Sequence, residues 1–160
     1  MKKTLITFAI LILGTGSWAQ SNTTDENAIK KIVQKEAEAA ENADYKQWIE
    51  CFAKSPDVAF GFSDLLPTYM LRSYDKLAKF GKDFFPADPV PASGVNEFTD
   101  YQIRINGTSA FVTSVQINTN PDGIIQRFHK ADYLEKIDGE WKMIGHFFSV
   151  EPKSLSDQGK

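Results

Sequence analysis

The chain has 160 residues and a net charge of −3, with 42% of its residues apolar and 24% charged. That is about one domain of ordinary globular composition, which excludes a disordered, collagen-like or coiled-coil chain. Eighteen basic residues against 21 acidic ones, with no basic block, speak against nucleic acid or an anionic membrane as partner. Cys51, the single cysteine, excludes an internal disulfide and a cysteine-rich zinc site.

Lys2 and Lys3 precede an apolar run from Leu5 to Leu13, followed by Gly16, Ser17 and Ala19. A positive start, a short apolar core and small residues at the −3 and −1 positions form a secretory signal, with cleavage expected after Ala19. The run is too short for a bilayer-crossing helix, which needs about 20 apolar residues. No stable membrane anchor is therefore expected, and residues 1–19 are read as a signal peptide. Loss of two lysines would take the charge from −3 to −5. The chain is thus expected to be exported, to the periplasm or the medium.

Residues 24–43 carry Ile29, Ile32, Val33, Ala37 and Ala40 on one stripe at helical spacing, and Thr23 with Glu26 reads as a capping box at the start. Asp44 and Gln47 can cap a second helix, whose Tyr45, Trp48, Ile49 and Phe52 share a face. After Ser55-Pro56-Asp57, the alternation of Val58, Phe60 and Phe62 reads as a strand. Residues 63–72 fit either a loop ending in a short strand or the start of the next helix. Ser73 can cap a third helix, with a stripe of Tyr74, Leu77, Ala78, Gly81, Phe84 and Phe85. Prolines 86, 89 and 91 then enforce a loop.

From Glu97 to Val150, four β-rich segments are separated by Asn106-Gly107, Asn120-Pro121-Asp122-Gly123 and Asp138-Gly139. These are turn signals, and they predict an antiparallel meander in an α+β domain over residues 24–150, followed by a tail at 151–160. Asn106-Gly107-Thr108 also fits a glycosylation sequon, but the hairpin turn is the preferred reading.

If both dipeptides are two-residue loops, Ile105 faces Thr108, Ala131 faces His146 and His129 faces Phe148. One sheet face then carries Tyr101, Ile103, Val112, Arg127, His129, Tyr133, His146 and Phe148. The other carries Lys130, Asp132, Trp141, Met143 and Phe147. The first is more apolar and is expected inside. Arg127, His129, Tyr133 and His146 would then point toward the core, where polar groups need partners or a wet cavity. His129 and His146 would be diagonal neighbours, about 7–8 Å apart. Both fit satisfied core-edge histidines, contacts to a ligand, or acid–base groups. No third or fourth metal ligand is in reach, so neither a metal nor another cofactor is expected. Trp48, Phe52, Phe60, Phe62, Tyr69 and Tyr74 would wall a pocket, with Tyr101 among its lining. Asp64, near its mouth, is either a turn residue or a general base. Phe111, Val115, Ile117, Phe128, Met143 and Phe147 form an apolar band on the opposite face, which suggests a homodimer packed sheet to sheet.

The last hairpin, from Asp132 through Asp138-Gly139-Glu140-Trp141 to His146, resembles the ending of SnoaL-like domains. Tyr45-Lys46-Gln47-Trp48 and Ser73-Tyr74-Asp75-Lys76-Leu77 are similar to helix segments of small exported bacterial members. The resemblance covers about residues 25–150. It implies a cystatin-like, nuclear transport factor 2-like cone, with three N-terminal helices on a strongly curved antiparallel sheet. Relatives include isomerases, dehydratases and cyclases, so fold transfers more readily than function. The isomerase-type trio of a carboxylate base, a tyrosine and a protonated acid has no matching residues here. The chain is expected to bind a small, partly apolar ligand in the cone. The alternatives are an isomerase, dehydratase or hydrolase on the same pocket, using His129, His146 or Asp64, and a protein-interaction module without a working pocket.

Overall fold

The computed structural model of the chain describes residues 16–63, 69–89 and 94–151. Most of the expected signal segment, Asp64 and residues 152–160 of the expected tail lie outside the described residues. The elements run α1 (Gly16–Glu41), α2 (Tyr45–Glu50), β1 (Ala59–Ser63), β2 (Tyr69–Arg72), α3 (Tyr74–Phe84), β3 (Val95–Asn106), β4 (Ser109–Thr119), β5 (Ile125–Ile137) and β6 (Glu140–Val150). The strands form one six-stranded sheet in the order β2-β1-β6-β5-β4-β3. The meander from β3 to β6 is the expected one, and 69–72 is a strand. The sheet is mixed rather than wholly antiparallel, because β1 runs parallel to β6. A parallel pair needs a long connection, which β2, α3 and the rest of the meander supply here.

The expected stripe holds α1 to the sheet: Ile29, Val33 and Ala37 are buried. Thr23 does not open the helix, since α1 already runs from Gly16 through it. The second cap is as expected. Asp44 Oδ1 accepts from the Gln47 backbone N–H at 3.0 Å, and the Gln47 side chain donates back to Asp44 Oδ2 at 2.7 Å. Ser73 precedes α3 at φ 90 without a side-chain capping bond. Leu77 and Gly81 turn inward from α3, and a Cβ at Gly81 would stand 2.7 Å from the Trp48 ring. The core gathers Trp48, Phe52, Val58, Leu77, Leu134 and Met143 beneath the helices.

Two turns explain the register. Asp138 and Gly139 both have positive φ (51 and 87), as a type I′ hairpin requires, and Ile137 faces Glu140 as expected. The other loop is Gly107-Thr108, one residue later than expected, so Ile105 pairs with Ala110 and Ile103 with Val112. This offset keeps side chains on their expected faces.

The larger correction is in β6. Leu134 pairs with Met143 but Tyr133 with Gly145, leaving Ile144 as an extra residue. Such a bulge lets one strand change parity against its neighbour. Past it, Asp132 faces His146, Ala131 faces Phe147 and His129 faces Ser149. His146 still points inward, but on β5 the inward set is Phe128, Lys130, Asp132 and Leu134. Arg127, His129 and Tyr133 are on the outer face. The outer apolar band is correspondingly narrower: Phe111, Tyr133 and Phe147 are exposed there, whereas Met143 is fully buried in the core and Phe128 lines the inner side.

Candidate functional site

Between the helices and the concave sheet face lies a half-open cavity of about 370 Å³. One side is aromatic: Trp48 from α2, Phe60 and Phe62 from β1, Phe80 from α3, Phe128 from β5 and Phe148 from β6. Phe84 and Phe85, at the end of α3, complete the aromatic lining. Glu36, Glu41, Gln116, Lys130 and His146 supply the polar side.

Four buried polar side chains stand at the inner end: Glu36, Lys130, Asp132 and His146. Glu36 lies on the apolar stripe of α1, three residues after Val33 and four before Ala40, so helical periodicity drives it inward. Its Oε1 accepts from the Trp48 indole N–H at 2.8 Å, and its Oε2 from Lys130 Nζ at 2.9 Å. Lys130 also donates to Gln116 Oε1 at 3.3 Å and lies 5.7 Å from the Phe98 ring centroid. Asp132, opposite His146 across β5 and β6, holds His146 Nδ1 at 2.6 Å. His146 Nε2 is 3.6 Å from Glu36 Oε1. Asp132 is behind the imidazole rather than on the wall, where it orients the ring.

Burial by itself would raise the pKa of Glu36. The charges of His146 and Lys130, with the hydrogen bonds from Lys130 and Trp48, outweigh that penalty and hold it at about 2. A carboxylate in this position stays ionised only because cationic and N–H donors surround it.

Toward the mouth, Glu41 accepts from Asn118 Nδ2 at 2.5 Å and Gln116 Nε2 at 3.4 Å. Gln116 also donates to Asn96 Oδ1 at 3.0 Å. Burial raises the Glu41 pKa more than the amide donors and the Lys130 charge lower it. Gln116 thus joins the inner cluster to the outer one, making a polar stripe from His146 to Glu41.

Among the residues expected to line a pocket, Trp48, Phe60, Phe62 and His146 do so. Phe52 is buried behind the wall, 5.1 Å from the Trp48 ring and 6.1 Å from that of His146. Tyr69 is about 41% exposed and meets the wall at Phe62 and Phe80. Tyr74 lies away from the cavity, its phenol pKa raised by burial. Tyr101 is on the inner face of β3 but does not reach the lining, and burial pushes its phenol up to about 12.

Arg127, His129 and Tyr133 are not part of the cavity. Arg127 sits 3.9 Å from Glu151 at the surface. His129 borders a separate depression on the outer face with Ser63, Ala131, Phe147 and Ser149, so the two histidines share no site. Cys51 is buried, and desolvation pushes its thiol up to about 12, which makes it inert.

The sequence reading missed Glu36, Glu41, Gln116, Lys130 and Asp132. Glu36 was visible as a carboxylate within an apolar stripe. Lys130 and Asp132 face inward, against the expectation from turn spacing, because the bulge leaves no mark in that spacing. Among the described residues, no group of three or more His, Cys, Asp or Glu side chains is arranged to hold a metal ion. No helix among them is long and apolar enough to cross a membrane.

Solved structures share this architecture at low sequence identity. A protein of unknown function from Mycobacterium tuberculosis superposes with a TM-score of 0.67 at 19% identity, over 90% of this chain and 81% of that one. A cystatin-like protein of unknown function from Nostoc punctiforme gives 0.65 at 17%, over 83% and 96%. A candidate scytalone dehydratase from Novosphingobium aromaticivorans gives 0.62 at 14%, over 83% and 88%. At such identities the likeness establishes fold alone. No curated protein matches the chain. The model of the SnoaL-like domain matches residues 29–152; with the helices, the meander and the cavity in place, the chain belongs to the SnoaL-like domain family and has the nuclear transport factor 2-like, cystatin-like fold.

Proposed function

We propose that the chain is an exported binding domain that takes a small, partly apolar molecule into the cavity. The ligand's apolar body rests on the aromatic wall and its polar end meets the stripe from His146 to Glu41. The observation that carries this reading is the cavity itself, about 370 Å³ with aromatic rings on one side and ordered polar groups on the other. That size and mixture suit small-molecule sites. A protein-interaction module whose pocket is filled by its own aromatics is correspondingly disfavoured. Export rests on the lysines, apolar run and small residues of positions 1–19.

Ala40 lies on the lining and offers a direct test. Ala40→Trp would fill the cavity, and binding of 2-phenylethanol, followed by calorimetry, should fall at least tenfold while the far-ultraviolet circular dichroism is retained. Undiminished binding by the folded variant would exclude the cavity as the site.

A second reading, an isomerase, dehydratase or hydrolase, is favoured by one observation. An imidazole at the cavity wall is backed by a buried carboxylate at 2.6 Å, the arrangement that orients a histidine for proton transfer. His146 is then the acid–base group in place of His129, and Asp132 its positioning residue.

A further inference from the structure

The reading of the cavity as a binding site leaves the ligand's charge open, and the hydrogen-bond donors on the wall decide it. An ammonium has three N–H groups. For Lys130, two are taken by Glu36 Oε2 and Gln116 Oε1, and the amine also lies against the Phe98 ring. His146 Nδ1 is held by Asp132, and Nε2 lies beside Glu36. The cationic groups on the wall are therefore already engaged by the protein's own acceptors, and an entering anion would have to displace a carboxylate from a buried pair.

The acceptors are not balanced in the same way. Glu36, Glu41 and Asp132 supply three carboxylates, against one ammonium and one imidazole. Even with His146 doubly protonated, one negative charge is left over. Among the described residues Glu41 makes no ion pair; its hydrogen-bond donors are the neutral amides of Asn118 and Gln116. It lies on the lining toward the mouth, where an entering molecule meets it. Opposite stand several aromatic rings, whose π faces attract cations through the ring quadrupole.

We propose that the cavity selects an organic cation: an amine on an aromatic or short alkyl body, its ammonium paired with Glu41 and its body against Phe60, Phe62 and Phe148. This rests on the cavity being the binding site. Glu41 sets the sign of the ligand, and the aromatic wall sets its shape. Amines have pKa values near that of lysine, about 10.4, and arrive charged at neutral pH.

The experiment compares three probes of similar size at pH 7 and low ionic strength by titration calorimetry: 2-phenylethylamine, 2-phenylethanol and phenylacetate. The expected order is amine over alcohol by at least tenfold, with phenylacetate weakest. Glu41→Gln should bring the amine's affinity down to that of the alcohol. Ala40→Trp should remove amine binding, which would separate the cavity from diffuse attraction to an acidic surface. If the alcohol binds and the amine gains nothing over it, or the anion binds best, the charge assignment is wrong and the cavity remains a binding site. If none of the three binds, both the binding reading and the selectivity built on it fail. The wild-type series decides the question even if Glu41→Gln does not fold.

Discussion

On helix α1, Glu36 occupies a position that solvation alone would give to an apolar residue, and it is nonetheless ionised. Its folded pKa of about 2 lies below the ordinary 4.5. The native state therefore binds its proton less readily than the unfolded chain does. The stabilisation is fully present above pH 4.5 and is lost as pH falls toward 2. Linkage puts it on the order of 3 kcal/mol. Urea unfolding of the wild type and Glu36→Gln across pH 7 to 2.5 should show it as a difference in slope. The wild type loses more stability between pH 4.5 and 2.5 than the variant, and parallel profiles would show that Glu36 is not held ionised by its neighbours. The variant is also expected to be less stable at pH 7, since Lys130 and His146 lose their buried counter-charge. Glu36 could be read from the sequence as an intruder in an apolar stripe. Its partners could not, because the β5 residue that meets it depends on pairing register rather than residue type.

At the scale of elements, legibility followed the agreement between independent local signals. The helices α2 and α3, the first strand and the four-strand meander were readable because caps, stripes and turn residues agree with one another. The Asp138-Gly139 turn fixed its own end of the last hairpin. Ile144, the extra residue in β6, defeated extrapolation from that turn to the far end. It is an ordinary β-branched residue and announces nothing. One consequence of packing is also hidden from propensity. Gly81 lies within α3, where alanine would normally be better by about 1 kcal/mol. A Cβ there would stand 2.7 Å from Trp48 and 2.8 Å from Tyr45, so α3 would have to lift off the second helix. Gly81→Ala is expected to destabilise by about 1–3 kcal/mol in chemical denaturation. An unchanged or raised midpoint would mean that α3 yields freely at that contact.

At the scale of the molecule, one sheet face is covered by helices and the other is not. Phe111, Tyr133 and Phe147 stand exposed on the uncovered face, and we propose that it pairs with the same face of a second copy. Light scattering at micromolar concentrations should give twice the chain mass, and Phe111→Glu should give the monomer mass. A wild-type monomer across that range would overturn the pairing. The sheet order has a further consequence, for when the structure can exist. Among the described residues β6 is the last strand in the sequence, yet it sits between β1 and β5. Until it emerges, β1 with β2 and β3 with β4 and β5 are two fragments with no shared hydrogen bonds between strands, and His146 has not yet been synthesised. The cavity therefore cannot be completed before β6 is in place. A chain built in this order joins its two strand groups only when β6 docks between them, so the last of the described strands governs whether the sheet and its cavity exist at all.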